Sequence, residues 1–375
     1  MRVAFGDWKY IPILAISPAE MTAIAQLPDR DKDKLLPLFS LKGWVSARSL
    51  ESSIKKIEES IGGRAWISDI DERFLSENKI FLFTGEYPDK PVYRELLDLL
   101  DSNEGYENWY QFLKLQKFAI PCIRHENINN IEDQILKLSS LGRGIVLRVS
   151  PNGLDYGKYQ VLLNALASTN VRDVLIIYDL GGVDNNFEER LPILEHLILD
   201  AKRLISDVSI SISGSSFPTG FAGQQKGSNS IYERILFNKL EEKKTFNPII
   251  YSDRGSARAE KQDGGAGVPP PRIDYPLKKD WKFVRREIVD NAPDSKARRL
   301  AAYVDIAKEI VGGEYWNADL RLWGTQQIEI TSEGSEFGVS SAQKSTAVRI
   351  NIHLFNQLHY NSVGEEMNTD EEWVD

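Results

Sequence analysis

The chain of 375 residues is acidic, with 46 basic and 55 acidic side chains and a formal net charge of −9. Apolar residues make up 42% of it and charged residues 27%, which is the composition of a folded globular protein. The single cysteine, Cys122, excludes an internal disulfide and a multi-cysteine metal site. Because an acidic surface repels phosphate backbones, we do not expect the chain to bind nucleic acid without a partner.

The apolar runs of the chain are short. Residues 11–16 and 174–178 are among the longest, and neither could cross a bilayer. The first ten residues lack the apolar region of a secretion signal. We therefore expect a cytoplasmic protein without a membrane partner.

Runs of β-branched and apolar residues recur along the chain, and most are followed by a segment with helical periodicity. The runs are 10–16, 35–41, 65–70, 118–124, 144–149, 173–180, 207–213 and 247–252. This alternation predicts right-handed β-α-β units and a parallel sheet. The number of units predicts an α/β protein built on a (β/α)8 TIM-like barrel. An open, doubly wound sheet is the alternative.

The remaining segments complete the predicted domain organisation. The barrel covers residues 1–255 and carries an insertion at about 72–117, which includes an aromatic stretch with helical spacing. The Gly- and Pro-rich segment 256–272 predicts a flexible loop. We expect residues 273–362 to form an appended C-terminal α+β segment that packs on the barrel. The acidic end, residues 363–375, predicts a disordered tail.

Two elements are predicted within the C-terminal segment. Residues 297–310 have the spacing of a helix. Residues 346–352 alternate between polar and apolar side chains, which predicts a strand that leads into the last helix.

In a barrel of this kind, the carboxyl ends of the strands meet at one mouth, and here these ends are charged. The predicted ligand-binding residues are Lys42, Asp69, Asp71, Arg124, His125, Arg148, Asp179, Ser215, Ser216, Asp253 and Arg254. Carboxylates that face several cations fit a small phosphorylated or nucleotide-like ligand. Asp69, Asp179 and Asp253 would hold a divalent cation such as magnesium through their hard oxygens. The alternative is that these charges pair with one another and only solubilise the rim.

No catalytic residue is identified from the sequence, and whether the protein is an enzyme stays open. The chain has no P-loop, Rossmann fingerprint or nucleophile elbow. His125 would serve as a general base between Arg124 and Glu126, or as a structural hydrogen-bonding group. The run SGSSFPTG at 213–220 offers donors for an anion, although such a turn is also an ordinary loop.

Several ordered pieces of the sequence carry a family resemblance. They are YIPIL at 10–14, LLPLF at 35–39, AWISDID at 65–71, SGSSFP at 213–218, YERI at 232–235, IIYSDRG at 249–255, RIDYPLKKDWKFVRR at 272–286 and INIHLFNQL at 350–358. In this order and spacing, the chain resembles the beta family, which is named after a satellite-phage beta protein.

The resemblance implies a role in conflict between mobile elements. Relatives lie in phage satellites and prophages beside a second protein, in an anti-phage cassette of the gop, beta and cII type, which implies antiviral defence and a protein partner encoded in the same cassette. The family pattern places a Lys and a Glu where this chain has Ala15 and Ser40. Any activity that depends on this charge pair is therefore in question. Asp253 and Tyr275 match a family Asp and Tyr, so Tyr275 joins the predicted ligand-binding residues.

Three functional hypotheses follow. The first is a component of a phage-defence or toxin-control system, whose barrel mouth binds a small phosphorylated ligand or a partner protein. The second is a metal-dependent phosphodiesterase or nuclease, with Asp69, Asp179 and Asp253 as metal ligands and Arg148 on the phosphate. The third is a catalytically inert barrel used as a protein-interaction module.

Overall fold

The computed structural model describes residues 4–259, 268–288 and 295–362. These residues form two compact units. Of the described residues, the first unit contains 4–17, 35–215 and 232–254, and the second contains 18–34, 216–231, 255–259, 268–288 and 295–362. The predicted acidic tail and residues 260–267 of the predicted loop lie outside the described residues.

The strands are β1 (Tyr10–Ala15), β2 (Leu38–Leu41), β3 (Trp66–Ile70), β4 (Ala119–Pro121), β5 (Ile145–Val149), β6 (Val174–Gly182), β7 (Ser209–Ser215), β8 (Lys226–Ser230), β9 (Ile249–Asp253), β10 (Arg272–Pro276) and β11 (Asp280–Arg285).

The helices are α1 (Pro18–Ala25), α2 (Asp29–Lys32), α3 (Glu51–Ile61), α4 (Glu72–Ser76), α5 (Lys79–Thr84), α6 (Pro91–Leu99), α7 (Asn103–Leu115), α8 (Ile131–Ser139), α9 (Tyr156–Ser168), α10 (Leu191–Leu204), α11 (Tyr232–Glu242), α12 (Ser295–Val311), α13 (Trp323–Ser332) and α14 (Ala342–Leu358). In the described part of the chain, none of these helices has the length and apolarity needed to span a bilayer.

The first unit contains a parallel sheet with the strand order β4-β3-β2-β1-β9-β7-β6-β5. Its two outer strands approach each other, because Cys122 and Val146 form a parallel bridge just beyond β4. There, the Ile123 amide donates a hydrogen bond of 2.8 Å to the Val146 carbonyl. The sheet thus curls into a nearly closed barrel surrounded by helices. The predicted (β/α)8 TIM-like fold is confirmed, and the open-sheet alternative is wrong.

Alternate residues of the strands fill the barrel interior. One buried cluster joins residues two apart on several strands: Ile11 and Ile13, Leu36 and Leu38, Ala65 and Ile67, Ile120 and Cys122, Leu175 and Ile177, with Val146 and Ile250. This spacing is expected, since successive side chains of a strand point to opposite faces. Phe5 joins the same cluster and contacts Gly144, where a Cβ atom would lie 2.8 Å from the Phe5 ring. Phe5 therefore fills the amino-terminal end of the barrel.

The predicted insertion between β3 and β4 contains helices α4 to α7. The aromatic stretch is helical, as predicted, and Trp109 in α7 is fully buried. The indole nitrogen of Trp109 donates a hydrogen bond of 2.9 Å to the Cys122 carbonyl. The insertion is thereby attached to the carboxyl end of β4.

The second unit is a small α+β structure. Its antiparallel sheet has the order β10-β11-β8, and helices α1, α2 and α12 to α14 complete it. Its core includes Ile273 of β10, Ile306 of α12, Ile328 of α13 and Val348 of α14. The helix predicted at 297–310 is confirmed as part of α12.

The strand predicted at residues 346–352 is wrong, because these residues lie inside helix α14. Ser345 and residues 347–358 are all buried, including polar residues such as Asn351 and His353. A helix that is covered on every side has no single apolar face. Its apolar residues therefore show no helical period, and a short stretch of them alternates by chance.

Candidate functional site at the barrel mouth

Charged side chains continue the inward-facing series at the carboxyl ends of the strands. They are Asp69 on β3, Arg124 after β4, Arg148 on β5, Asp179 on β6 and Arg254 after β9. The first four lie two residues beyond an interior position, and Arg254 lies four residues beyond Ile250. Because the alternation places all of them on the inside, they meet at the mouth, where apolar layers no longer separate them. The sequence prediction named each of these five residues.

Arg148 spans the mouth. Its Nη1 donates to the Asp69 carboxylate at 2.8 Å and to the Ser40 hydroxyl at 3.3 Å. Its Nε and Nη2 donate to Oδ2 of Asp179 at 3.1 and 2.5 Å. Since β2 and β6 are not neighbours in the sheet, the Arg148 side chain links strands across the barrel.

Further arginines extend this network at both ends. Arg254 Nη2 donates to the same Asp179 oxygen at 2.6 Å. Arg124 Nη1 donates to Asp69 at 2.7 Å, and its Nη2 contacts Glu126 at 2.9 Å and also Glu72. The result is a chain of alternating charges, which we call the mouth network: Arg124, Asp69, Arg148, Asp179 and Arg254.

The pKa shifts follow from burial and from these contacts. Burial disfavours the ionised form of Asp179, but Arg254 and Arg148 outweigh it and hold the pKa of this carboxyl well below its ordinary value. Arg254 behaves differently. Burial lowers the pKa of Arg254, and repulsion from Arg148 and Arg73 lowers it further. The attraction of Asp179 raises this pKa but does not offset the two effects.

Backbone and amide groups orient the mouth network. The amide nitrogens of Ile70 and Gly181 donate to Asp69 and Asp179 at 2.8 and 3.1 Å. The Gln134 side chain of α8 bonds both the Arg124 amide and the Arg124 carbonyl, at 2.7 and 2.9 Å. These bonds limit the positions that the charged groups can take.

Other predicted residues lie beside the mouth network. His125 Nε2 lies 2.9 Å from the Arg148 carbonyl, and because a carbonyl only accepts, the ring nitrogen donates. This is the contact of a structural histidine. Lys42 pairs with Asp71 at 3.6 Å. The Ser215 carbonyl accepts a hydrogen bond of 2.9 Å from the Val183 amide. Ser215 thus helps to join the ends of β6 and β7.

Asp253 belongs to the other face of β9. Its carboxylate accepts hydrogen bonds from the Tyr10 hydroxyl at 2.5 Å and from the Tyr251 hydroxyl at 2.9 Å. Arg234 of α11 lies 3.2 Å from the centre of the Tyr251 ring. Asp253 is fully buried in this outer layer, and the structure does not bring it to Asp69 and Asp179.

Within the described residues, no group of three or more His, Cys, Asp or Glu side chains is arranged to hold a metal ion. Asp69 and Asp179 have guanidinium partners, and Asp253 has the two tyrosines. The predicted divalent-cation site therefore stays a prediction that this geometry does not support.

Two predicted residues, Ser216 and Tyr275, lie in the second unit. Ser216 donates a hydrogen bond of 3.2 Å to the Ser230 carbonyl. The Tyr275 hydroxyl accepts one of 3.2 Å from the Asn317 amide, and its ring packs near Trp316.

The predicted ligand-binding residues did not include Ser40, Glu72, Glu126 or Gln134, although Glu126 was among the charged residues expected after the fourth strand. Ser40 is the register partner of Ala15 on the neighbouring strand, so the two positions at which the family pattern has a charge pair are adjacent. That pattern was the available signal for Ser40. No sequence signal pointed to Gln134, because it lies on helix α8, and only the packing of that helix brings it to Arg124.

Comparison with known proteins places this fold in a family. The Beta protein family matches residues 10–359. The chain is also 27% identical over 369 residues to Protein beta of Enterobacteria phage P4, and the match covers 96% of this chain and 95% of that protein. The match extends over both units. This chain therefore belongs to the Beta protein family.

Proposed function

We propose that this protein is a component of a phage-defence or toxin-control system, and that its barrel mouth binds a small phosphorylated ligand. The similarity to a phage protein over nearly the whole chain supports a role in conflict between mobile elements. The incomplete charge compensation of Arg254 supports the ligand class.

The argument for a phosphorylated ligand starts from the charges around Asp179. Arg148 and Arg254 both bind this one carboxylate, and Asp69 is already shared between Arg148 and Arg124. The Nε of Arg254 is buried and has no hydrogen-bond partner. A phosphate group offers several acceptor oxygens, and guanidinium forks bind it in a bidentate manner. An added anion would therefore stabilise this part of the mouth network.

The other two hypotheses fit these observations less well. A metal-dependent phosphodiesterase or nuclease would need clustered carboxylates, and the described residues do not provide them. An inert interaction module is consistent with a mouth whose charges largely pair with one another. It predicts that small anions do not bind there, and the following experiment separates it from the proposal.

The first experiment is thermal unfolding of the purified protein with inorganic phosphate, pyrophosphate, AMP and ADP. A ligand at a hundred times its Kd adds about 2.7 kcal/mol to the stability of the folded state. For a unit of this size, that raises the midpoint by roughly 5–10 °C. We expect the shift to be smaller in Arg254→Gln than in the wild type, and unchanged in Arg172→Gln, whose exposed side chain precedes β6 at the other end of the barrel.

No shift with any of these anions, or an equal shift in Arg254→Gln, would contradict ligand binding at the mouth. The biological half of the proposal needs its own test. We expect deletion of the gene, in a host that carries the full cassette, to change the efficiency of phage plating. An unchanged efficiency across a broad phage panel would refute the defence role and leave the binding result unaffected.

A further inference from the structure

The second unit contains a cavity of about 500 Å³, and none of the residues that line it belongs to the mouth network. It is formed by the loop after β7, the segment before β10, residues of β10 and β11, Tyr303 of α12 and the first turns of α14. Its volume falls in the range of sites for drug-sized and nucleotide-sized molecules.

The cavity is strongly basic. Arg258, Arg272, Arg285 and Arg349 line it, and none of the described residues that line it is acidic. Arg285 pairs with Glu287 at 2.5 Å, outside the lining. Behind them lies Asp274 of β10, which is buried and accepts hydrogen bonds from Arg272 at 3.1 Å and from Arg349 at 2.9 Å. Among the described residues, the guanidiniums of Arg258, Arg272 and Arg349 face the one carboxylate of Asp274, which is an excess of two positive charges.

Aromatic rings hold two of these guanidiniums in place. The Arg349 guanidinium lies 4.0 Å from the centre of the Phe217 ring, and that of Arg272 lies 3.7 Å from the centre of the Phe221 ring. Such stacking fixes the plane of a guanidinium while its edge remains available for hydrogen bonds. The arginines are therefore ordered before any ligand arrives.

Burial makes this excess charge costly. Arg349 is 5% exposed, and its Nε is buried without a hydrogen-bond partner. Burial lowers the pKa of Arg349, and repulsion from Arg272 and Arg258 adds to this effect against the attraction of Asp274. Burial also lowers the pKa of Arg258, and Arg272 lowers it further. Negative charge inside the cavity would relieve these repulsions.

We propose that this cavity binds a small phosphorylated molecule of nucleotide size that carries at least two negative charges. Arg258, Arg272 and Arg349 bind its phosphate oxygens. Ser345 and Thr346, in the first turns of the 17-residue helix α14, line the same cavity, so the positive end of that helix dipole adds to the attraction. This site goes beyond the proposed function, since none of its residues belongs to the mouth network.

The test measures the affinity of the full chain for pyrophosphate and ADP by calorimetry, with adenosine as the uncharged comparison. The informative variant is Arg258→Gln, because it leaves Asp274 with both of its arginine partners. The matched control is Arg286→Gln, which removes an arginine that pairs with Asp305 and Glu309 and does not line the cavity. Arg254→Gln is measured in parallel to detect binding at the barrel mouth.

We expect pyrophosphate and ADP to bind the wild-type protein and adenosine not to bind. We expect Arg258→Gln to raise the Kd of the cavity at least tenfold. Arg286→Gln and Arg254→Gln should leave the Kd of the cavity unchanged. Absence of binding to the wild type, or an unchanged Kd in Arg258→Gln, would overturn the inference. If only Arg254→Gln weakened binding, the ligand would belong to the barrel mouth, which would overturn the cavity site and support the proposed function.

Discussion

Replacement of Asp179 by asparagine tests whether the mouth network also stabilises the barrel. One oxygen of this buried carboxylate accepts three hydrogen bonds, from Arg148 at 3.1 and 2.5 Å and from Arg254 at 2.6 Å. Asn has nearly the same volume, so the change creates no cavity, but it leaves two guanidiniums, on side chains only 19% and 14% exposed, without the charge they share. Removing one partner of a buried ion pair costs about 3–5 kcal/mol. We expect a loss of about 3 kcal/mol, at the lower end of this range, because Arg148 keeps its ion pair with Asp69.

The assay is urea unfolding at pH 7, with the free energy of unfolding compared at an unchanged m value. Asp133→Asn is the matched control, since its carboxylate pairs with Lys137 at 2.9 Å on the surface of α8 and is 53% exposed. An exposed pair of this kind contributes about 0.5 kcal/mol or less. If Asp179→Asn lowered the free energy of unfolding by less than about 1 kcal/mol, the reasoning from buried charge would be refuted.

The pH dependence gives the same prediction a second test. The pKa of Asp179 lies well below its ordinary value of 3.8 in the folded protein. Its ion pairs therefore stabilise the fold fully above that ordinary value, and the stabilisation disappears as the pH falls toward the lower, folded pKa. The difference in stability between the wild type and Asp179→Asn should stay constant from pH 7 to about pH 4.5 and shrink only below about pH 4. Shrinkage between pH 7 and pH 5 would contradict this assignment.

Two further predictions concern the packing of each unit. Tyr10→Phe removes a hydroxyl that donates to the buried Asp253 carboxylate at 2.5 Å, and we expect a loss of about 1–3 kcal/mol in urea unfolding; an unchanged midpoint would show that this bond is not stabilising. Ile352→Ala, at a position of α14 with no exposed surface, should cost about 2–5 kcal/mol. Phe83→Ala, at a 91% exposed position of α5, should change stability by less than about 0.5 kcal/mol, and a similar cost at both positions would argue against the buried helix.

The partial neutralisation of the mouth network does not prevent ligand binding. Asp69 and Asp179 hold the guanidiniums of Arg124, Arg148 and Arg254 in defined positions. An arriving phosphate can share these donors, since each guanidinium has five N–H groups. The stabilising role tested by Asp179→Asn and the proposed binding role are therefore compatible.

The barrel could be predicted from the sequence because its signal is local. A strand covered on both faces is continuously apolar over a few residues, as in the run that became β6 (Val174–Gly182), and a helix between strands shows its own period, as in α3 (Glu51–Ile61). The end of each strand is visible in the same way, so charged residues such as Asp69 and Arg148 could be placed at the mouth. The ordered motifs, in turn, identified the family that the comparisons confirm.

The tertiary structure decided which of these groups meet and which face each one takes. Asp69 and Arg148 are 79 residues apart and lie on strands near opposite ends of the sheet, so only closure of the barrel brings them together. Asp253, one residue before Arg254, faces the outer layer instead, because a shift of one residue along a strand reverses the direction of a side chain. Helix α14 showed no helical period because it is buried on all sides. Contacts and burial of this kind depend on residues distant in the chain, and no local pattern records them.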